Sequence, residues 1–125
     1  MTGGSRTVLV VDDEPAIRLL CRVNLELDGY EVLEAGTLAD ARARLAEADV
    51  DVVLLDLHLG GERSHALIAE CAARRPPVPV ALVTGSTDLA AARASGADAV
   101  LPKPFQIEQL AATVEKLTAQ RAAAR

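Results

Sequence analysis

The chain has 125 residues and a mass of 13.1 kDa, the size of one domain with a substantial core. Half of the residues are hydrophobic but only two are aromatic, and the formal net charge is −5. The acidic balance without a basic patch argues against direct nucleic-acid binding, and so few aromatic rings leave little for stacking on flat cofactors. We expect a single domain over residues 1–125, with a structured core over about 6–120.

Neither a membrane segment nor a disulfide framework is evident. Residues 1–7 contain no hydrophobic signal region, and no apolar run approaches the roughly 18 residues that span a bilayer. Cys21 and Cys71 both lie in helical patterns, without the spacing of a metal or redox motif. We therefore expect two buried thiols in a cytoplasmic protein that has no membrane partner.

The first apolar run, Val8–Val11, predicts a buried strand. A helix follows, with Pro15 at its first position and Asp28–Gly29 after its end. Its apolar residues at helical spacing predict the packed face and are Ile17, Leu20, Val23 and Leu27. The second strand, Glu31–Ala35, has charged residues toward both ends, which is typical of an edge strand.

Thr37 is the predicted cap of the second helix, and Asp40 three residues later resembles a capping box. The inner face of this helix is marked by Leu38, Ala41 and Leu45, and the third strand is Val52–Leu55. Gly60–Gly61 predicts a flexible turn, and Ser64 a cap for the third helix. That helix carries Leu67, Ile68 and Cys71 and is stopped by Pro76–Pro77.

The fourth strand, Val80–Val83, precedes a short helix that Thr87 or Asp88 caps and that ends at Ser95–Gly96. The fifth strand is Ala99–Pro102, and the final helix is striped by Ile107, Leu110, Ala111, Val114 and Leu117. The Ala-rich residues 119–125 are either a frayed helix end or the stub of a linker.

Five strands alternating with five helices predict an α/β fold, a doubly wound parallel sheet with helices on both faces. Placing the second strand at an edge favours the strand order 2-1-3-4-5.

Polar side chains follow four of the predicted strands. Asp12 and Asp13 follow the first strand, Asp56 the third, Thr84 the fourth and Lys103 the fifth. Since the carboxyl ends of parallel strands share one edge, we expect these side chains to converge. Three close carboxylates repel unless a cation intervenes, and oxygen ligands favour Mg²⁺. The lysine and the threonine suit a phosphoryl group beside the metal, so the pattern predicts a phosphoryl site.

Four segments together resemble the receiver domain of bacterial two-component response regulators. They are VLVVDDE (8–14), VVLLDL (52–57), LVTG (82–85) and GADAVLPKPF (96–105). The resemblance spans nearly the whole chain in the right order. It implies a flavodoxin-like (CheY-like) five-stranded sheet and supports the order 2-1-3-4-5.

The resemblance also implies a role for each polar residue. Asp56 would accept a phosphoryl group from a histidine kinase or a histidine phosphotransfer protein, and Thr84 and Lys103 would hold the phosphoryl oxygens. The implied Mg²⁺ site consists of Asp13, Asp56 and the backbone carbonyl of His58, with Asp12 reaching the metal through water. A cis peptide bond between Lys103 and Pro104 is also implied.

Three positions depart from the family pattern. Val100 stands where an aromatic residue is common, and residues 60–64 (GGERS) replace the usual proline and glycine after the acceptor. Thr84 and Gly96 lie only 12 residues apart, which predicts a short fourth helix. These departures affect the output surface more than the phosphorylation chemistry.

The leading interpretation is a signalling switch that catalyses only its own phosphoryl transfer and dephosphorylation, not an enzyme with a turning-over substrate. Its expected partners are the phosphodonor and a downstream protein or fused output domain, and it would be a monomer or weak dimer. A haloacid dehalogenase-type phosphatase is disfavoured, since that family spaces its two aspartates as Asp-x-Asp and usually adds a cap domain. A binding module that works without phosphorylation is the other alternative. Val100 keeps it open, but the intact set of polar residues at the strand ends argues against it.

Overall fold

The computed structural model describes residues 5–59, 62–85 and 89–125, with only the backbone at 62 and 63. The predicted turn at Gly60–Gly61 and the predicted caps Thr87 and Asp88 lie outside these ranges. The strands are β1 (Thr7–Val11), β2 (Glu31–Ala35), β3 (Val52–Asp56), β4 (His58–Leu59), β5 (Glu62–Arg63), β6 (Val80–Gly85) and β7 (Ala99–Lys103). The helices are α1 (Pro15–Leu27), α2 (Leu38–Glu47), α3 (His65–Ala72), α4 (Leu89–Arg93) and α5 (Ile107–Ala123).

The main sheet has five parallel strands in the order β2-β1-β3-β6-β7. Numbered among these five, this is the predicted order 2-1-3-4-5, and the prediction is confirmed. The small antiparallel pair β4–β5 was not predicted. Its strands have two residues each, too few to show an alternating pattern, so the sequence suggested only a loop there.

Helices cover both faces of the sheet and form two cores. One core lies under α2, α3 and α4 and contains Leu9 and Val11 of β1. The other lies under α1 and α5 and contains Val8 and Val10 of the same strand. Because successive strand residues point to opposite faces, an unbroken apolar run is what a strand covered on both sides requires.

The predicted packed face of α1 is wrong except at Ile17, which is partly buried and packs against the core. Cys21 and Leu25 are the buried residues of this helix, whereas Leu20 and Val23 are exposed and Leu27 is 80% exposed. Leu19 is exposed as well. A helix this rich in apolar residues offers two stripes with spacings of three or four, and contact with the sheet selects the stripe through Cys21 and Leu25. The other stripe remains on the surface.

Other local predictions have mixed outcomes. Thr37 caps α2 as predicted, its Oγ1 accepting a hydrogen bond from the backbone N–H of Asp40 at 3.0 Å. Ser64 precedes α3, but its side chain makes no capping hydrogen bond. The fourth helix is short, as predicted, and the Lys103–Pro104 bond is cis, as is Arg75–Pro76.

Both cysteines are free and buried, in agreement with the sequence prediction. Burial raises the pKa of each thiol to about 11, so both are protonated at neutral pH. In the described ranges, no helix is long and apolar enough to cross a membrane.

The C-terminal end of α5 is tied to the start of the sheet. Buried Arg121 donates to the carboxylates of Asp49 and Asp51 at 2.9 and 3.2 Å, and Arg125 contacts the same two residues at 2.8 and 3.2 Å. Asp51 also accepts from the backbone N–H of Thr7 at 2.8 Å. The helix therefore continues through most of the Ala-rich segment and ends at Ala123.

The two leucines near the end of α1 test which face of the helix packs. We expect Leu25→Ala, at a fully buried site, to lower the unfolding free energy by about 2–5 kcal/mol because it leaves a cavity. Leu27→Ala, at the exposed site, should stay within about 0.5 kcal/mol of the unmodified protein. Urea denaturation with equal slopes measures both, and equal losses would contradict the orientation of α1.

Candidate functional site

The polar strand ends meet at one edge of the sheet, as the topology predicted. Val11 of β1 pairs with Leu55 of β3, so the next residue on each strand, Asp12 and Asp56, arrives at the same level. Asp56 pairs with Val83 of β6, one residue before Thr84. Gly85 pairs with Lys103 of β7. All these residues therefore lie at the same edge of the sheet, level with one another to within about one position along the strands.

Three carboxylates form a cluster at this edge. One oxygen from each of Asp12, Asp13 and Asp56 lies within 4.8 Å of the other two. Asp12 is buried, Asp13 is exposed and Asp56 is partly buried, so the cluster opens to solvent on one side.

Lys103 is the cation of the cluster. Its Nζ lies 3.1 Å from Oδ2 of Asp12, 3.7 Å from Oε1 of Glu14 and 3.9 Å from Oδ2 of Asp56. Burial by itself would lower the pKa of Lys103, but the hydrogen bond with Asp12 and the surrounding carboxylates outweigh it and raise the pKa. The ammonium is therefore charged, and it offsets part of the repulsion among the acids.

The Asp56 carboxylate accepts a longer hydrogen bond than those to the Asp12 carboxylate. Its Oδ1 accepts a hydrogen bond of 3.3 Å from the backbone N–H of His58. Burial raises the pKa of Asp56, Lys103 opposes this, and the charge of Asp12 adds to it. Its charged form is thus destabilised relative to an exposed carboxylate, and a cation placed near it would be favourable.

Thr84 is buried, and its Oγ1 donates to the carbonyl of Gly85 at 3.3 Å. That contact is long for a hydroxyl donor, so the hydroxyl group makes no strong bond there. Thr84 lies level with Pro102, directly before Lys103. Ser86, which the sequence places near the rim, lies outside the described residues.

Ser64 and Arg18, which the sequence analysis did not assign to the site, contact main-chain carbonyls beside it. The Ser64 hydroxyl donates to the carbonyls of Asp56 at 2.6 Å and Leu57 at 3.2 Å, which explains why it does not cap α3. Arg18 donates through Nη1 to the carbonyl of Asp12 at 2.6 Å. All three acceptors are main-chain oxygens, so none of these contacts leaves a recognisable pattern of residue types.

The donor set fits a hard divalent cation. With a ~2.1 Å bond length, oxygens around octahedral Mg²⁺ lie about 3.0 Å apart when adjacent and about 4.2 Å apart when opposite, and the three carboxylate oxygens, within 4.8 Å of one another, are near enough to close around one ion. All three side-chain donors are carboxylate oxygens, which suit Mg²⁺ better than softer metals.

An apolar groove of about 360 Å³ opens beside the cluster. It runs between the start of α1 and the segment after β7 and is bordered by Glu14, Ile17, Leu20, Lys103, Pro104 and Phe105. A larger depression of about 650 Å³ lies at the opposite end of the sheet, where its charged borders Asp49, Asp51 and Arg125 pair with one another. The candidate site is therefore the acidic cluster at the carboxyl end of the strands.

Residues 8–115 match the family model of the response regulator receiver domain. Among curated relatives, the chain is 36% identical to the transcriptional regulatory protein KdpE of Mycobacterium tuberculosis, over 94% of this chain and 53% of that protein. It is also 36% identical to the sensor kinase CckA of Brucella abortus, over 91% of this chain and 13% of that protein. The chain thus spans only part of these longer relatives.

Solved structures show the same architecture. The receiver domain of NtrX from Brucella abortus superposes with a TM-score of 0.81 at 30% identity, covering 90% of this chain and 98% of that one. A CheY-like receiver domain protein from Methanospirillum hungatei superposes with a TM-score of 0.85 at 25% identity, covering 96% and 98%. With its sheet order, its acidic edge and the match over residues 8–115, the chain belongs to the family of response regulator receiver domains.

Proposed function

We propose that this receiver domain is a phosphorylation switch that accepts a phosphoryl group on Asp56. The observation that carries the proposal is the position of the Asp56 carboxylate, partly buried at the sheet edge between two other acids and 3.9 Å from the Lys103 ammonium. A carboxylate is able to act as a nucleophile and form an acyl phosphate. The surrounding charges are those that a phosphoryl group and its metal ion require.

In this proposal Asp13, Asp56 and the backbone carbonyl of His58 hold Mg²⁺, and Asp12 reaches it through a water molecule. The hydrogen bonds of Asp12 support the different roles that the proposal gives to Asp12 and Asp13. Its Oδ1 accepts from the backbone N–H of Glu14 at 2.9 Å, and its Oδ2 from Lys103 at 3.1 Å. Asp13 is on the exposed side of the cluster. Bound Mg²⁺ would supply neutralisation of the charge on the transferring phosphoryl group.

The proposed reaction is a direct transfer from a phosphohistidine. An oxygen of Asp56 forms the new O–P bond as the N–P bond of the donor breaks, and the histidine nitrogen keeps the electron pair. Lys103 then moves its contact from the carboxylates toward the phosphoryl oxygens, and the Thr84 hydroxyl exchanges its long bond with Gly85 for one of them. Water later hydrolyses the acyl phosphate, so the domain catalyses only its own phosphorylation and dephosphorylation.

The donor is a histidine kinase or a histidine phosphotransfer protein, and the proposed activity is cytoplasmic. The groove beside the cluster supports a protein donor, because Glu14 and Lys103 border it while Ile17, Leu20 and Phe105 line it with apolar surface. A protein that brings phosphohistidine to Asp56 must cover this rim. The downstream partner is a separate protein or a fused output domain, and the domain itself is a monomer or a weak dimer that contacts neither nucleic acid nor membrane.

Asp56→Asn tests the acceptor. With Mg²⁺ and acetyl phosphate, the unmodified protein should gain the mass of one labile phosphoryl group, and the variant should gain none because it lacks the nucleophile. Intact-mass spectrometry and peptide mapping measure this, with Glu115→Gln on the exposed side of α5 as the control. An adduct on the same peptide of Asp56→Asn would contradict the assignment.

The same variant should be more stable than the unmodified protein in metal-free buffer at neutral pH. Folding raises the pKa of Asp56, mainly through burial, so ionisation of this group costs stability as pH rises through its unfolded pKa toward its folded pKa. Asparagine removes this cost. The gain in melting temperature should therefore be largest at neutral pH and should shrink as the pH falls below the ordinary range for aspartate.

The variant Lys103→Met distinguishes the effect of Lys103 on Mg²⁺ binding from its effect on phosphoryl transfer. Removing the ammonium leaves the buried Asp12 carboxylate without its cation, so the unfolding free energy without metal should fall by roughly 2–4 kcal/mol. Mg²⁺ should bind more tightly, because no ammonium competes for the carboxylates, whereas phosphorylation by acetyl phosphate should slow. Calorimetric Mg²⁺ titration and mass spectrometry measure the two effects, with Lys116→Met on the exposed surface as the control. Weaker Mg²⁺ binding in Lys103→Met would contradict this division of roles.

A further inference from the structure

Arg18 reaches from the second turn of α1 to the end of β1. Its Nη1 donates to the carbonyl oxygen of Asp12 at 2.6 Å, and its Nε donates to Oε1 of Glu34 at 3.1 Å. The side chain is mostly covered. The guanidinium therefore bridges the main chain of the acidic edge to the neighbouring strand β2.

Gly36 provides the space for this bridge. A Cβ at position 36 would lie 3.3 Å from Nη1 of Arg18, tighter than most Cβ contacts, and at an ordinary 3.9 Å from Cζ. The glycine therefore leaves room for the guanidinium and is not needed for an unusual backbone angle, since its φ is not in the left-handed region. Glu34 of β2 and Gly36 just after that strand thus accommodate the guanidinium of Arg18.

The carbonyl that Arg18 contacts belongs to the peptide group joining Asp12 to Asp13. That peptide group is planar, so holding its oxygen fixes the direction in which Asp13 leaves β1. The backbone N–H of Asp12 is held in turn by the carbonyl of Ala35 at 3.0 Å. Because both main-chain groups of Asp12 are hydrogen-bonded, the backbone position from which the exposed Asp13 side chain extends is fixed without a metal ion.

The charge of Arg18 is largely offset by the neighbouring carboxylate of Glu34. Glu34 pairs with Arg18 at 3.1 Å and with Arg22 at 2.8 Å, and Arg22 pairs with Glu26 at 3.2 Å. Arg18 makes its contact at the acidic site through a carbonyl and leaves the carboxylate oxygens to other partners. The contact therefore acts on the geometry of the carboxylates more than on their charge.

We propose that Arg18 is a positioning residue that holds the Asp12–Asp13 peptide group in the orientation needed to bind Mg²⁺. This inference rests on the proposed function, because it assigns Arg18 to the metal site of that switch. Groups that orient metal ligands typically change metal affinity 10–100-fold when removed. An ion pair that only stabilises the surface would leave metal affinity unchanged.

The test compares Arg18→Met and Arg18→Lys with the matched control Arg22→Met, which removes the other arginine of the same Glu34 pair. Mg²⁺ is titrated without any phosphodonor, and amide chemical shifts report the dissociation constant. Urea unfolding in chelator reports stability. We expect Arg18→Met to weaken Mg²⁺ binding about tenfold, Arg18→Lys to recover part of the loss through its single donor, and Arg22→Met to change the affinity less than twofold.

Gly36→Ala supplies a second test that keeps every polar group. Its methyl group presses on the guanidinium, and Mg²⁺ affinity should fall while Arg18 is still present. If Arg18→Met does not fold, Arg18→Lys and Gly36→Ala decide the outcome. Mg²⁺ affinities within twofold of the unmodified protein in all the Arg18 and Gly36 variants that fold would overturn the proposal, even if their stability falls.

This test separates the inference from the proposed function. If the unmodified protein binds Mg²⁺ but is never phosphorylated, the proposed function fails while the Arg18 measurements keep their meaning. If the protein is phosphorylated on Asp56 but Arg18→Met binds Mg²⁺ normally, the positioning role fails and the switch remains.

Discussion

Repulsion among Asp12, Asp13 and Asp56 is the constraint around which this domain is organised. The sheet brings three carboxylates within 4.8 Å, and Lys103, 91 residues after Asp12, supplies the ammonium that makes this tolerable. That pairing requires β7 to lie beside β6 and to end at the same edge as β1 and β3. The order of the strands is therefore also what assembles the site.

Much of this arrangement was predictable because it depends on residue types at strand ends. Apolar runs such as Val8–Val11 mark buried strands, and the polar residue after each run falls at the carboxyl edge whatever the details of packing. The face of α1 was not predictable, since Leu20 and Leu25 belong to two stripes of similar spacing and only the sheet distinguishes them. Contacts from Arg18 and Ser64 to main-chain carbonyls were missed because any residue supplies such an acceptor.

The surface around β7 differs from what an aromatic residue would create there. Val100 lies beside Leu82 in the sheet and packs against the core under α2, α3 and α4. A β-branched side chain is restricted at χ1, so it offers no ring that swings between buried and exposed positions. The main chain around Thr84 and Lys103 lies beside α4, whose described part is Leu89–Arg93, so under the proposed switch a change at the site would have to travel through the backbone there.

The ion pairs at the C-terminal end of α5 hold that end of the helix against the sheet. The helix is 17 residues long, about 25 Å, and starts four residues after Lys103. Its other end is anchored by Arg121 and Arg125 to Asp49 and Asp51, which are fixed to the sheet through Thr7. The helix therefore connects the acidic edge of the sheet with the opposite edge, so a movement of Lys103 would reach α5 first at its N-terminal turn, the end that these ion pairs do not hold.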